Sequence, residues 1–334
     1  MMPCTRRQFL CQSASAAAWV AVSSSRPGIA QQTPPAIPII DTHQHLWDLG
    51  RVQLPWLAGT PHLNRSYLPK DYAQAAEGLG VVKTIYMEVD AAEQSKQAEA
   101  DYVLDICRRG DTLMAAAVIG GDPAADHFRS YILQFKDSPY LKGVRQIIRD
   151  RQWFAEAKFR RGIQFLGERG LSFDLCHGPD WLGDAAGLLD ACPGTRFVLD
   201  HCGNANVKTF LPPGKDEPAA SASARRQQTE RWRLDIAALA RRKNVVCKIS
   251  GIIASAAKGA WTPAQLAPII HHCLAVFGPD RVMFAGDWPV CTAVATLRQW
   301  VGALKQIVTD PVQQQKLFHD NAVKFYRLSS PGHK

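Results

Sequence analysis

Apolar, β-branched stretches recur along this chain, with amphipathic stretches between them. Pro38-Ile39-Ile40 opens the first, over 38–45, and the second reads Val81-Val-Lys-Thr-Ile-Tyr-Met-Glu-Val89. Others cover 113–119, 141–148, 171–177, 196–202, 245–251 and 281–287. Short apolar runs of this kind read as strands buried on both faces. Helical spacing of apolar positions marks 91–108, 155–168, 180–190, 231–242, 263–276 and 293–308. Strands that alternate with helices pair in parallel through right-handed crossovers. Eight of them in 334 residues predict an α/β fold, a TIM-type (β/α)8 barrel, as a single domain over 38–330. The competing architecture is an open, doubly wound sheet. It loses its main support because no Gly-rich phosphate loop follows the first strand.

Two irregular regions interrupt the alternation. Residues 46–72 hold Trp47, Trp56, Tyr67 and three prolines, Pro55, Pro61 and Pro69. Residues 203–229 hold Pro212-Pro213-Gly214 and a Ser/Ala-rich piece. Both follow strand ends, so both are expected over the barrel mouth, as lids, pocket walls or plain surface insertions.

The first 30 residues read differently. Thr5-Arg6-Arg7-Gln8-Phe9-Leu10 resembles a twin-arginine motif, a small and apolar run follows over Ala14 to Val22, and Gly28-Ile29-Ala30 suits cleavage before Gln31. The expectation for 1–30 is a twin-arginine signal peptide and a periplasmic or exported protein, with 31–37 as a Pro-rich linker. The alternative is an uncleaved tail. The apolar run is too short to span a bilayer stably.

Composition adds less. Apolar residues make up 46% and charged residues 21%, ordinary for a soluble globular protein. The net charge of +9 favours anionic substrates or surfaces, but no block of five like charges marks a nucleic-acid site. Seven cysteines follow residue 30, widely spaced and without a Cys-x-x-Cys pair, so no disulfide framework is implied.

Polar residues close several of the apolar runs. His43 and His45 are two apart on the first strand, which points both to one side. The fifth strand ends Asp174-Leu-Cys-His177, the sixth reads Val198-Leu-Asp-His-Cys-Gly203, and the eighth reads Met283-Phe-Ala-Gly-Asp-Trp-Pro289. Carboxyl ends of barrel strands are where active sites are built. Any one of His43, His45, His177, His201 and Asp287 alone is more often a hydrogen-bonded structural residue. Together they are expected to converge at the mouth.

Here the chain resembles a family. Asp41-Thr-His-Gln-His-Leu-Trp-Asp48, Gly143-Val-Arg-Gln146, Leu199-Asp-His-Cys-Gly203, Gly286-Asp-Trp-Pro-Val290 and Asn321-Ala-Val-Lys-Phe-Tyr326 are similar to motifs of the amidohydrolase superfamily. Within it, the chain looks most like the lactonase branch of fuconolactonase-like, rhamnonolactonase-like and pyrone-dicarboxylate-lactonase-like enzymes. The resemblance implies a hydrolase that opens the lactone of a sugar acid, or a related carboxylated lactone, by water attack at the carbonyl. It assigns His43, His45, His177 and Asp287 as metal ligands, and Asp287, His201 and His177 as catalytic groups. Asp287 would orient and deprotonate the water. Arg145 would bind a substrate carboxylate, Glu88 would be a ligand or substrate contact, and Trp47 and Trp288 would wall the pocket. The fourth strand has no lysine where two-metal relatives carry a carboxylated one, so at most one divalent ion is implied, zinc before others. Some lactonases of this branch work without metal. A decarboxylase of the same superfamily and an exported, non-catalytic sugar-acid binding protein are the alternatives. The implied partner is a small lactone or sugar acid, with no nucleic acid and no stable membrane span.

Overall fold

A computed structural model describes residues 37–328; the signal-peptide reading and nearly all of the linker reading lie outside the described residues. Eight strands form one sheet: β1 (Ile39–Gln44), β2 (Val81–Met87), β3 (Met114–Gly120), β4 (Leu141–Ile147), β5 (Ser172–Cys176), β6 (Arg196–Leu199), β7 (Val245–Ile249) and β8 (Val282–Phe284). Their order is that of the sequence and every neighbouring pair is parallel. Helices lie between successive strands, which makes the fold a TIM-type barrel.

Alternate residues of a strand point to opposite faces, and the core divides accordingly. Ile85, Met87, Ala116 and Val118 pack with Ile40, Val198 and Met283 in the barrel interior, floored by Tyr326 and Leu328. Tyr86, Ala117 and Ile119 face the helices. Both faces are covered, which is why these strands read as unbroken apolar runs.

The ring closes through a seam built partly of side chains. Gln44 bridges Trp288, the Asp287 N–H donates to the His43 carbonyl at 2.9 Å, and the His45 N–H donates to the Trp288 carbonyl at 2.8 Å. Below these, Thr42 Oγ1 donates to the Phe284 carbonyl at 2.7 Å, and the Gly286 N–H donates to Asp41 Oδ1 at 2.7 Å. Asp41 Oδ2 also accepts from the Tyr72 hydroxyl at 2.7 Å. A Cβ at position 286 would lie 2.3 Å from that oxygen, so only glycine fits there.

Several boundaries differ from those read in the sequence. The sixth strand stops at Leu199 and the eighth at Phe284, because the chain then leaves extended geometry. His201, Cys202, Gly203 and Asn204 are all left-handed, with φ of 53°, 53°, 67° and 54°, and Asp287 has φ 52°. The region 203–229 is largely helical rather than irregular. One helix runs over Ala219–Ala240, starting well before 231, since its Ala, Arg and Gln residues are strong helix formers. Among the described residues no helix is long and apolar enough to cross a membrane. Among the described residues six cysteines are buried and free, and Cys176 is free and half-buried.

Candidate active site

His43 and His45 present their Nε2 atoms to each other at 3.1 Å. His45 Nδ1 lies 2.9 Å from the Met87 carbonyl, which can only accept, so Nδ1 carries the proton and Nε2 the lone pair. His43 Nδ1 lies 3.4 Å from both Asp200 Oδ1 and Lys248 Nζ, and Arg145 Nη1 stands 3.3 Å from its Nε2. Burial holds the His43 imidazole well below its ordinary pKa, so it is neutral. Asp287 Oδ1 stands 3.4 Å from His45 Nε2 and 3.7 Å from His43 Nε2. All three side chains are buried.

Two imidazole nitrogens face each other here beside a carboxylate, a donor set that a cation can bridge. A tetrahedral ion with bonds of roughly 2.0–2.1 Å sets its ligand atoms about 3.3 Å apart, and the three separations bracket that value. The donor set therefore fits one divalent ion with a fourth position left open.

His177 is not brought to this trio. Its Nδ1 lies 2.8 Å from the carbonyl of its own neighbour Gly178, its ring meets the Phe154 ring edge-on at 5.2 Å, and its Nε2 is buried with no hydrogen-bond partner. The chain leaves β5 at Cys176, one residue before His177. Burial pushes its pKa down, so it too is neutral.

His201 is brought in. Its ring centre lies 4.6 Å from that of His43, and its Nδ1 is 2.8 Å from Ser250 Oγ. It opens the left-handed turn 201–204, a conformation that costs roughly 1–2 kcal/mol per ordinary residue. Gly251 makes room for it, since a Cβ there would sit 2.3 Å from His201 Nδ1. Strain of this kind is kept where surrounding structure over-determines it, typically at functional sites.

Beneath the imidazoles lies a buried charge network. Lys248 Nζ donates to Asp174 Oδ2 at 2.6 Å and stands 3.3 Å from Asp200 Oδ1. Arg145 Nε donates to Glu88 Oε1 at 2.5 Å and Nη2 donates to the Glu88 carbonyl at 2.7 Å; Nη1 is 3.5 Å from Asp200 Oδ2. Burial alone would lower the Lys248 pKa and raise that of Asp200. Their attraction prevails, holding Lys248 above and Asp200 well below the ordinary values. Burial pushes Asp174 up to about 6 against the pull of Lys248. Sequence reasoning passed over Lys248 and Asp174. The signal was there, as a charged residue inside an apolar run: Val245-Val-Cys-Lys248-Ile and Phe173-Asp174-Leu.

Behind Glu88, Glu99 Oε1 accepts from the Tyr86 hydroxyl at 2.9 Å and from the Val89 N–H at 3.1 Å. Burial, with the Glu88 charge, pushes Glu99 up to about 8. The unfolded chain releases this proton near pH 4.3, so the stability it contributes is complete below that value and is lost as pH rises toward 8. Glu99→Gln is expected to flatten the fall of the urea midpoint between about pH 5 and 8. An unchanged pH profile would mean that Glu99 is ionised in the folded protein.

A cavity of 410 Å³ opens above these groups, lined among others by His45, Trp47, Trp56, Asp90, Arg145 and Asp287. Trp47 and Trp56 pack edge to face at 5.7 Å, and Trp47 is fixed by paired backbone hydrogen bonds with Tyr67. The loop 46–72 is thus a pocket wall. Trp288, expected as a wall, does not line the cavity; it is buried between Tyr67 and Tyr72, at 5.3 and 5.4 Å. Glu88, expected as a ligand or substrate contact, lies below the floor and is taken up by Arg145 and by the Asp90 N–H.

Cavity, acid–base groups and ligand trio all lie on the face where barrels of this type carry catalysis, so fold and site define an enzyme. The profile of the amidohydrolase family matches residues 40–328, and the chain belongs to that family. It is 26% identical over 308 residues to an L-fucono-1,5-lactonase of Burkholderia multivorans, covering 87% of this chain and 97% of the relative. An L-rhamnono-gamma-lactonase of Scheffersomyces stipitis is 22% identical over 342 residues, covering 87% and 98%. The fold is shared with an amidohydrolase from Burkholderia multivorans crystallised with bound zinc, at a TM-score of 0.75 and 24% identity, over 87% of this chain and 100% of that one.

Proposed function

We propose that this chain hydrolyses a neutral, polyhydroxylated lactone of the aldonolactone class. One observation carries the choice of a neutral ring. Arg145 is the only cation among the described residues that line the cavity, and Glu88 and Asp200 already neutralise it. Asp287 adds negative charge to the lining, and Asp90, also in it, is paired with Arg149. A substrate carboxylate would meet no free cation there, which revises the role expected for Arg145. Like charges brought together cost several kcal/mol. Trp47 and Trp56 offer flat apolar faces to a sugar ring, and Asp90 offers an acceptor for its hydroxyls.

In this reading Asp287 takes the proton from an attacking water and returns it to the ring oxygen as that bond breaks, leaving a hydroxy acid. His201, anchored through Nδ1, has Nε2 left for the carbonyl or the departing oxygen. The second Nη2–H of Arg145, which lines the cavity, is left to stabilise charge developing on the carbonyl oxygen. A zinc ion held by His43, His45 and Asp287 would supply Lewis acidity to the carbonyl when bound. The lactonase names of the relatives and the zinc in a fold neighbour support this reading. The Arg6-Arg7 run and the apolar stretch after it support export by the twin-arginine route as part of the same proposal.

The test is a panel of neutral aldonolactones and carboxylated lactones, read by acid release, with metal content measured before and after chelation. Neutral lactones should be favoured in kcat/KM by roughly tenfold or more, about 1.4 kcal/mol. Up to one equivalent of metal is expected. Preference for the carboxylated rings would sink the substrate assignment. Release of carbon dioxide would favour a decarboxylase, and binding without turnover a sugar-acid binding protein. Full activity after metal removal would leave the trio acting through hydrogen bonds alone.

A further inference from the structure

At the opposite end of the barrel, where β6, β7 and β8 begin, a second cavity of 360 Å³ is lined by Arg196, Lys243, Arg281, Lys324 and Arg327. Among the described residues Asp280 is the only acid in that lining, and it is already paired with Lys316 at 2.7 Å. Among the described residues, none of the five cations stands within ion-pair distance of a carboxylate.

The two arginines nearest the strands are held by other means. Arg196 donates through Nη1 to the Phe325 carbonyl and through Nη2 to that of Gly170 at 2.8 Å, and its guanidinium lies over the Phe325 ring at 4.8 Å. Arg281 donates to the Phe277, Arg242 and Ala240 carbonyls at 3.1, 2.8 and 2.8 Å. Both charges are therefore fixed in place without a counter-ion. Burial, and then the Arg327 charge, push Arg196 below its ordinary pKa; burial, Arg196 and Arg327 do the same to nearby Lys142. Like charges held this close repel unless an anion joins them.

We propose that this cavity binds a compact, multivalent oxyanion of phosphate chemistry, at a site separate from catalysis. The held guanidinium groups supply fixed positive charge and their remaining N–H donors, and the lysines act beside them as point charges on phosphate oxygens. The volume suits a small ligand group, near the lower end of pocket sizes of about 300–1,000 Å³. This is the face of the barrel that does not carry catalysis, so occupancy need not touch lactone turnover. The phosphate could belong to a soluble molecule or to a lipid headgroup.

The test is calorimetric titration of the full chain with inorganic pyrophosphate at fixed pH. Saturable binding to one site is expected, weakening as salt is raised. Lys243→Glu with Lys324→Glu, both exposed in the fold, should weaken it at least about tenfold while lactone turnover is unchanged. Lys208→Glu with Lys215→Glu changes the net charge equally, at exposed positions outside the lining, and should leave the affinity alone. Absence of saturable binding, or an equal loss in both double variants, would overturn the proposal. Pyrophosphate-sensitive binding to phosphatidylglycerol vesicles, and not to phosphatidylcholine ones, would identify a headgroup as the source. Binding of free pyrophosphate alone would identify a soluble ligand.

Discussion

Asp287→Asn should lower kcat for lactone hydrolysis by roughly 10²–10⁴-fold, the range general-base catalysis supplies, in a protein that still folds. The side chain is buried at the mouth, 3.4 and 3.7 Å from two imidazole nitrogens. Its backbone is pinned on both sides: its N–H donates to the His43 carbonyl at 2.9 Å and its carbonyl accepts from Cys291 at 2.8 Å. The amide keeps that shape and φ of 52°, which Asn tolerates better than most residues, and removes the basicity and the charge. Circular dichroism and metal content measured beside the kinetics separate lost proton transfer from a lost ligand. Turnover within about tenfold of the parent, in folded protein, would remove Asp287 from the proton path.

Lys248→Met should cost roughly 3–5 kcal/mol of stability, the penalty for breaking a buried ion pair from one side. Lys248 is fully buried between Asp174 and Asp200. Methionine fills most of its volume but leaves two carboxylates, with Arg145 as the remaining cation beside Asp200. Those carboxylates would take up protons on folding, so their folded pKa values would rise above the unfolded ones. The deficit should then shrink as pH falls toward about 5. Asp174→Asn in the same chain should recover part of the loss, because it removes the charge that Lys248 had balanced. The check is the urea midpoint at constant slope; a shift worth under about 1 kcal/mol would show that the network is not held by charge.

How much was legible in the sequence follows from where the information sits. A barrel strand is covered on both faces, so it is an apolar run by itself, and a polar residue closing the run stands out. Hence the eight strands, and the placing of His43, His45, His201 and Asp287 at one mouth, could be read in advance. Other outcomes depended on partners far along the chain. Arg145 looks free in Gly143-Val-Arg-Gln146; only the fold places Glu88, 57 residues earlier, against it. Lys248 acquires a meaning only through Asp174, 74 residues away. His177 and Trp288 sit at the right positions, yet a neighbouring carbonyl and a pair of tyrosines decide where their rings point. The left-handed turn at 201–204 has glycine and asparagine only at its third and fourth residues, so Cys202 gave no local sign.

The seam between β1 and β8 has a consequence for when this enzyme becomes active. The Gly286 bond to Asp41 joins residues 245 positions apart, and the metal-fitting trio is split across the same boundary, two imidazoles on one side and the carboxylate on the other. Contacts of such long range form late, because their loop-closure cost must be met by everything folded between them. During synthesis, seven strands exist before the eighth emerges, and none of those incomplete rings holds Asp287 beside the histidines. On the proposed mechanism catalysis is thus withheld from every partial product of the ribosome, and the appearance of activity would mark the moment the first strand finds the last.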